Sequence, residues 1–260
     1  MTYETILVST EDTARWITFN RPKVLNAINR RCVAECTAAV REAERDAAVR
    51  TIIFTGAGDH AFTAGADISE LRDFSTADVL DYNRGWLDLF RTLELCRKPV
   101  IAAVKGWATG GGTELSLACD FVLAAESARF GLSEINIGVI PGAGAAIRLT
   151  RFMGRLRAKE LLMLGRLLSG AEAVEWQLAN RCVPESELFA AATALALQLA
   201  EKALLALGAA KASVNTGSEA SWDVALEYEL REFASLFSTE DQKEGMSAFL
   251  EKRAPQYTGR

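Results

Sequence analysis

Short apolar runs rich in β-branched and aromatic residues alternate with amphipathic stretches along the first half of the chain. The runs at 6–8 and 16–19 are separated by polar residues, which predicts the two strands of a hairpin. Between 33 and 47, apolar residues recur in steps of three and four, as on the buried face of a helix. The runs at 51–55 and 99–104 are largely apolar, which is typical of strands covered on both faces.

After these strands the pattern predicts a long helix, a short helix and one more strand. The long helix has apolar residues spaced over 79–93, the short one contains Leu115 and Leu117, and the strand covers 121–123. Alternation of apolar strands with helices predicts an α/β fold in which helices cover a sheet.

From Pro141 onward the pattern changes to nearly continuous helix. An alanine-rich stretch over 188–210 predicts one soluble helix, and 222–237 carry one stripe of large apolar residues. No linker rich in Ser, Pro or Gly separates the two halves. We therefore expect an α/β core over 1–200 and a helical C-terminal region over 201–260 that packs on the core and on neighbouring subunits, in a single functional domain.

Composition and charge narrow the range of partners. The chain has 260 residues, with 29 Lys and Arg against 34 Asp and Glu, a net charge of −5 and no basic block, which argues against a nucleic-acid partner. Glu201 and Lys202 lie within the alanine-rich stretch and argue against a membrane-spanning helix. No basic and then apolar leader follows Met1, so we expect a cytoplasmic protein of bacterial type, although a mature mitochondrial matrix protein would look the same.

The cysteine and histidine counts argue against metal and disulfide sites. The five cysteines are scattered, odd in number and without a CxxC pair, which is typical of reduced thiols. His60 is the only histidine, and no G-x-S-x-G motif accompanies it. We expect neither a metal site nor a serine triad, and we interpret His60 as a solvated turn residue.

Three consecutive glycines at 110–112 join a predicted strand to a predicted helix. Glycine lets a ligand approach the backbone, and a helix start offers unpaired N–H groups that can stabilise a developing oxyanion. No Gly-Lys-Ser/Thr follows, which excludes a Walker phosphate loop. From these residues alone, a tight turn without a ligand is an equally good interpretation.

Two carboxylates and a second loop of small residues can each be interpreted either as part of a ligand site or as an ordinary structural feature. Glu114 falls in the first turn after the glycines, where an acid also complements the helix dipole. Glu134 is also explained as a first-turn acid behind a Ser133 cap. The loop at 62–68 lets the backbone lie against a ligand, but it is also explained as an ordinary turn capped by Asp67.

Together and in this order, these segments resemble the enoyl-CoA hydratase/isomerase (crotonase) superfamily. The resemblance covers essentially the whole chain, and the chain is most similar to the enoyl-CoA hydratases. It implies a crotonase-like spiral of ββα units whose helical C-terminal region packs trimers, usually paired into hexamers. The matching segments are 20–27, 61–68, 110–115, 134–144 and 237–253.

The resemblance also implies how an acyl-CoA thioester binds. Ala66 and Gly111 would supply the backbone N–H groups of an oxyanion hole for the thioester carbonyl. The loop that contains Ala64, Asp67 and Ile68 would hold the adenine and pantetheine side of CoA. CoA is part of the substrate, so no separate cofactor is expected.

Two lysines are further candidates for CoA binding. Lys23 would lie near the CoA phosphates, and Lys252 would reach the CoA of a neighbouring subunit in a homotrimer or homohexamer. Both are also explained as solvated surface charges.

The paired carboxylates favour hydration. In hydratases of this family both positions are Glu, as Glu114 and Glu134 are here. Two carboxyls in one site rarely both ionise, so one can act as acid and the other as base. We assign Glu114 to activating the water that attacks C3, Glu134 to delivering a proton to C2, and the N–H of Gly142 to holding the water.

The expected activity is that of an enoyl-CoA hydratase, which converts a 2-enoyl-CoA to a 3-hydroxyacyl-CoA in fatty acid β-oxidation. The alternatives are an enoyl-CoA isomerase, another lyase or hydrolase acting on CoA thioesters, and a non-enzymatic acyl-CoA- or RNA-binding scaffold. Two departures from the family pattern bear on acyl preference and CoA affinity. The residues at 145–147 replace a frequent Gly-Thr-Gln, and Ser69 stands where hydratases often have Lys.

Overall fold

Ten strands form two sheets in the computed structural model, which describes residues 2–260. The larger sheet has six strands and the smaller one has four. In chain order the strands are β1 (Ile6–Glu11), β2 (Ala14–Phe19), β3 (Thr51–Gly56), β4 (Ala61–Thr63), β5 (Val100–Val104), β6 (Trp107–Thr109), β7 (Phe121–Ala125), β8 (Arg129–Gly131), β9 (Leu167–Ser169) and β10 (Arg181–Val183).

Ten α-helices within the same residues cover these sheets and continue beyond them. They are α1 (Arg30–Arg45), α2 (Ile68–Leu71), α3 (Thr76–Leu95), α4 (Gly111–Leu117), α5 (Ala145–Leu164), α6 (Gly170–Glu175), α7 (Leu188–Ala200), α8 (Leu204–Gly217), α9 (Trp222–Leu236) and α10 (Glu240–Glu251).

Each strand–strand–helix unit places its first strand in the larger sheet and its second strand in the smaller one. The larger sheet has the order β1-β2-β3-β5-β7-β10, and the smaller has the order β4-β6-β8-β9. The pairs β3–β4, β5–β6 and β7–β8 are each followed by helix, so the chain winds as a spiral. This confirms the predicted α/β fold of ββα units with C-terminal helices. The hairpin of β1 and β2 is also confirmed.

Side chains of the larger sheet alternate between two hydrophobic layers, as a strand period of two requires. Ile52 and Phe54 of β3 belong to the layer formed with α1 and α3. Ile53 belongs to the opposite layer, with Leu188 and Ala192 of α7. Every residue of β3 is buried, which explains its largely apolar sequence.

The prediction of nearly continuous helix after Pro141 is wrong at β9 and β10. The strand β9 pairs antiparallel with β8, and β10 pairs parallel with β7. Each has three residues, too few for a period of two to be visible in the sequence. The predicted single helix over 188–210 is also wrong. This stretch forms two helices, α7 and α8, because Ala203 between them has an extended backbone (φ −61°, ψ 114°).

Helices α8, α9 and α10 follow the last strand and helix of the sheet region. Helix α9 packs on α8 and has no buried residue. Its stripe of large apolar residues, from Trp222 to Phe237, is therefore largely exposed. The division into a core over 1–200 and a C-terminal region over 201–260 stays a prediction.

No single helix among residues 2–260 is long and apolar enough to cross a membrane. One bent pair, Glu185–Ala200 with Leu204–Gly217, satisfies length and composition together, with 106° between its members.

A buried asparagine fastens the turn that follows β2 to strand β4. Asn26 is 1% exposed, and its side-chain amide donates to the carbonyls of Ala57 and Ala61, both at 2.9 Å. The hydroxyl of Thr63 in turn donates to the carbonyl of Asn26 at 2.7 Å. This turn therefore sets the position of β4 and of the loop that follows it.

Replacing Asn26 with Leu should destabilise the protein. The change keeps the size of the side chain but leaves buried carbonyl groups without donors, and each such group costs about 1–3 kcal/mol. We expect the free energy of unfolding, measured by urea denaturation, to fall by about 2–6 kcal/mol for the two carbonyls. The matched control is Asn136→Leu at an exposed position. A loss for Asn26→Leu no larger than the control's would contradict this role.

Candidate active site

Three candidate segments meet at one edge of the smaller sheet. Strands β4, β6 and β8 run parallel, so their carboxyl ends lie on the same side. The loop at 64–68 follows β4, the glycines and α4 follow β6, and the 3₁₀ turn Glu134–Ile137 follows β8. The carboxyl edge of parallel strands is where ligands bind in open α/β sheets.

Glu114 is a buried carboxylate tied to a distant segment of the chain. The residue is 4% exposed, and its Oε1 accepts the N–H of Ala143 at 3.1 Å and the N–H of Ala145 at 3.0 Å. Burial raises the pKa of Glu114 above its usual value, and the two N–H groups and Arg148 oppose that rise. Complementing the helix dipole does not account for these long-range contacts.

Glu134 is the second carboxyl of the site, at the start of the 3₁₀ turn after β8. Its Oε2 is buried and has no hydrogen-bond partner within residues 2–260. Burial raises the pKa of Glu134 to about 7; its own backbone N–H lowers this pKa and the charge of Glu114 raises it. The Ser133 side chain does not cap the turn, so the interpretation of Glu134 as a capped first-turn acid is wrong. Ser133 has φ −97° and ψ 12°, outside the extended conformation usual for a cap.

The glycine before α4 brings the two carboxyls into one site. Gly110 has φ +53°, and a Cβ on it would lie 2.9 Å from Oε1 of Glu134. Glu134 therefore packs directly against the backbone that begins α4, the helix that carries Glu114. A carboxyl with a pKa near 7 next to a second, hydrogen-bonded carboxyl can supply an acid and a base to one substrate.

Ala66 and Gly111 lie on loops that touch each other. Gly65 has φ +85°, and a Cβ on it would lie 2.8 Å from the amide nitrogen of Gly111. Ile28 donates its N–H to Gly65 and accepts the N–H of Asp67, so the N–H of Ala66 between them points away from Ile28. Neither Ala66 nor Gly111 donates its N–H to any acceptor among residues 2–260. Two free donors on touching loops are what an oxyanion hole requires.

Helix α3 forms a wall of this site through side chains that the sequence pattern did not single out as functional. The Trp86 ring lies against Gly111, with its Cη2 2.7 Å from where a Cβ would be. The side-chain amide of Asn83 lies against Gly142. The N–H of Gly142 has no acceptor within the described part of the chain, residues 2–260. The apolar spacing over 79–93 predicts a buried face but gives no signal of which loops it faces.

The loop expected to bind CoA is held from both sides. The Thr109 hydroxyl donates to the carbonyl of Ala64 at 3.1 Å. Asp67 accepts the N–H of Ser69 at 3.2 Å and pairs with Arg21 at 2.9 Å. The Ser69 hydroxyl and Arg21 lower the pKa of Asp67. The interpretation of Asp67 as a cap is therefore confirmed, and its carboxylate is already occupied.

The remaining candidates are exposed. Ile68 is 50% exposed at the start of α2, and Lys23 is exposed in the 3₁₀ turn Pro22–Val24. Lys252 is exposed at the end of α10, in the C-terminal region. Their part in CoA binding stays a prediction. His60 is exposed in a bend, as expected.

Metal ligands are not gathered in the described residues. No group of three or more His, Cys, Asp or Glu side chains among residues 2–260 is arranged to hold a metal ion.

Comparison with known proteins identifies the family that shares these features. A family model described as enoyl-CoA hydratase/isomerase matches residues 9–260. The chain belongs to the enoyl-CoA hydratase/isomerase family. This confirms the resemblance to the crotonase superfamily that the sequence motifs carry.

Individual members of the enoyl-CoA hydratase/isomerase family match over the full length. The "Probable enoyl-CoA hydratase echA8" of Mycobacterium bovis is 45% identical over 100% of both chains. The "Short-chain-enoyl-CoA hydratase" of Clostridium acetobutylicum is 40% identical over 97% of each chain. The crystal structure of an enoyl-CoA hydratase from Bacillus anthracis has a TM-score of 0.94 and 37% identity, and it covers 99% of this chain and 100% of that one.

Proposed function

We propose that this protein is an enoyl-CoA hydratase that adds water across the 2,3 double bond of a 2-enoyl-CoA to give a 3-hydroxyacyl-CoA. The observation that carries the proposal is a pair of carboxyls, Glu114 buried and tied by two N–H groups, and Glu134 half-buried with a raised pKa. The Oε2 of Glu134 has no hydrogen-bond partner within residues 2–260. The relatives named enoyl-CoA hydratase at 40–45% identity bear out this activity.

Polarisation of the thioester is assigned to the backbone. The free N–H groups of Ala66 and Gly111 donate to the thioester carbonyl oxygen, which makes C3 electrophilic and stabilises the enolate that follows. Removal of one such donor typically costs about 10²–10³ in rate. No cofactor besides the CoA of the substrate enters this scheme.

The two carboxyls divide the proton transfers. Glu114, as carboxylate, takes a proton from water while the water oxygen bonds to C3, and the N–H of Gly142 helps to hold that water. The electron pair of the double bond moves to C2 through the enolate and takes the proton of Glu134. Return of the proton from Glu114 to Glu134 restores the starting state, so no net proton is consumed.

CoA binding is assigned to the loop beside the oxyanion hole. Ala64, Asp67 and Ile68 form the part of this loop that is assigned to the adenine and pantetheine side of CoA. The carboxylate of Asp67 is engaged by Arg21 and Ser69, and its N–H and carbonyl are engaged by Ile28 and Glu70. Its assigned contribution is therefore to hold the shape of the loop. Lys23, and Lys252 of a neighbouring subunit, are assigned to CoA phosphates.

An enoyl-CoA isomerase is the second candidate, because it also polarises a thioester and moves a proton. A double-bond shift needs one carboxyl to carry a proton between carbons. The isomerase reaction does not require a second buried carboxylate, whereas in this site Glu114 is buried and accepts two backbone N–H groups. That arrangement favours the hydratase.

Variants of the two glutamates separate these activities. If hydration uses both carboxyls, Glu114→Gln and Glu134→Gln should each lower hydration of a 2-enoyl-CoA by more than about 10²-fold. The losses should not add in the double variant, because groups that act as a unit fail together. For an isomerase, Glu134→Gln abolishes migration in a 3-enoyl-CoA whereas Glu114→Gln leaves much of it.

The matched control is Glu126→Gln, which changes an exposed glutamate next to β7 and should retain full activity. Circular dichroism establishes that each variant is folded. Hydration that survives Glu114→Gln at near wild-type rate would overturn the two-carboxyl scheme.

We also propose that the protein works as a homotrimer or as a homohexamer of two trimers. Its accessible surface is 13561 Å², whereas a compact monomer of this mass exposes about 11,200 Å². The excess is consistent with the exposed apolar residues of the C-terminal helices. Trp222 is 77% exposed, Phe249 83% and Leu250 80%. Exposed apolar surface of this extent marks an interaction surface.

Light scattering should therefore report three or six copies of the 28.2 kDa chain. Trp222→Glu together with Phe233→Glu should lower this mass, because charges in an apolar interface are costly. The control is Arg231→Glu, a reversal of charge at an exposed polar position of the same helix. A purely monomeric wild-type protein at micromolar concentration would contradict the assembly.

The cellular location stays a prediction. The scattered cysteines are typical of reduced thiols and favour a reducing compartment such as the bacterial cytoplasm. Relatives include both bacterial and mitochondrial proteins.

A further inference from the structure

Arg148 joins helix α3 to the loop that holds Glu114. Its Nη1 donates to the carbonyl of Ala143 at 2.9 Å, and its Nε donates to Oε1 of Glu94 at 2.9 Å. Nη2 donates to the same Glu94 oxygen. One planar guanidinium therefore bridges a carboxylate of α3 and a backbone carbonyl of the loop.

The carbonyl that Arg148 binds belongs to the residue whose N–H binds Glu114. Ala143 donates its N–H to Oε1 of Glu114 and accepts from Arg148 through its carbonyl. Both peptide groups that flank the Cα of Ala143 are therefore fixed from outside. A continuous path of hydrogen bonds runs from Glu94 through Arg148 and Ala143 to Glu114.

The loop needs such external ties because of its own sequence. Ala143 stands between Gly142 and Gly144, and Gly144 has φ +104°. Glycine on both sides leaves this segment with more conformational freedom than any other residue type would. Without a hydrogen bond to its carbonyl, Ala143 would be free to rotate, and its N–H would no longer point steadily at Glu114.

Arg148 is itself held rigidly enough to serve this purpose. The side chains of Arg148 and Glu94 are 17% and 24% exposed, and the guanidinium carbon lies 5.4 Å from the centre of the Phe90 ring. Another charge near Glu94, Arg91, is 3.9 Å away and 67% exposed, so it is a weaker partner. The pairing of a guanidinium with a carboxylate in a fixed fork restricts orientation as well as supplying energy.

We propose that Arg148, oriented by Glu94, is a positioning residue that sets the geometry of Glu114 toward the attacking water. This positioning role rests on the proposed function, which assigns water activation to Glu114. Arg148 is not assigned a contact with substrate. It acts on Glu114 through the backbone of Ala143, and its positive charge also lowers the pKa of Glu114. Its loss impairs the water step and spares proton transfer at C2, which depends on Glu134 and on the N–H groups of Ala66 and Gly111.

Two reactions of the same protein separate these steps. Hydration of a 2-enoyl-CoA needs both carboxyls, whereas exchange of the C2 proton of a saturated acyl-CoA with solvent needs the oxyanion hole and Glu134. For Arg148→Met we expect kcat for hydration to fall about 10²-fold, because a small misplacement of a catalytic group costs that much. The KM for the enoyl-CoA and the rate of C2 exchange should stay close to those of the wild type.

Two further variants test the path residue by residue. Arg148→Lys keeps the charge, but one ammonium cannot span both partners as a fork, so its kcat should lie between those of Arg148→Met and the wild type. Glu94→Gln keeps an oxygen acceptor and removes the charge, and it should also give an intermediate kcat. Both variants report on the same path if Arg148→Met fails to fold.

The matched control is Arg151→Met, three residues further along α5. Arg151 pairs with Glu219 rather than with the loop, so its loss should leave hydration and exchange unchanged. Hydration at the wild-type rate in Arg148→Met would overturn the proposal. A parallel fall of hydration and exchange in Arg148→Met, Arg148→Lys and Glu94→Gln would also overturn it, because that is what a general loss of structure produces.

The same variants distinguish an error in the proposed function from an error in the role of Arg148. If Glu114→Gln hydrates at the wild-type rate, the assignment of Glu114 is wrong and the positioning role falls with it. If Glu114→Gln is inactive and Arg148→Met is not impaired, only the positioning role is wrong.

Discussion

The site depends on two hydrogen bonds, from the N–H groups of Ala143 and Ala145 to one oxygen of Glu114. They hold a carboxylate in a buried position, where an unpaired charge would otherwise be very costly. They also join α4 to the segment that leads into α5, and so fix the loop opposite Glu134. The protein can therefore keep two carboxyls in one site, both with a pKa raised by burial. One is tied by N–H groups, and the other has an oxygen without a hydrogen-bond partner among residues 2–260.

The spiral of ββα units explains how residues far apart in sequence reach this place. The smaller sheet contains only the second strand of each unit, and β4, β6 and β8 run parallel in it. The loop that follows the second strand of each unit therefore lies at the same edge of the smaller sheet. The first carries Ala66, the second Gly111 and Glu114, and the third Glu134. The hydrogen bonds of Asn26 to the carbonyls beside β4 show how the loops are kept in register.

Much of this arrangement is visible in the sequence, but for physical reasons not all of it is. Strand β3 is buried on both faces and therefore reads as a largely apolar run, and the stripe on α1 has a clear helical period. The short strands β4, β6 and β8, on which the site depends, have three residues each and leave no periodic signal.

Some residues of the candidate site can be found from the sequence, and others can be found only from the structure. The glycine run and the two glutamates can be found as motifs, although their joint meaning came from resemblance to a family. The contact of Trp86 with Gly111 and the bridge made by Arg148 join elements distant in sequence. Such contacts follow from helix placement, which spacing within one helix does not reveal.

The central claim is that one proton is shared between two carboxyls, with Glu134 carrying it in the form that hydrates substrate. The most direct test is the pH dependence of two reactions of the wild-type protein, kcat/KM for hydration of a 2-enoyl-CoA and release of tritium from C2 of a saturated acyl-CoA. Hydration needs Glu134 protonated, so it should fall as pH rises through about 7. Tritium release needs Glu134 as carboxylate, so it should rise through the same pKa. If both reactions changed in the same direction there, or neither changed, the account would be contradicted.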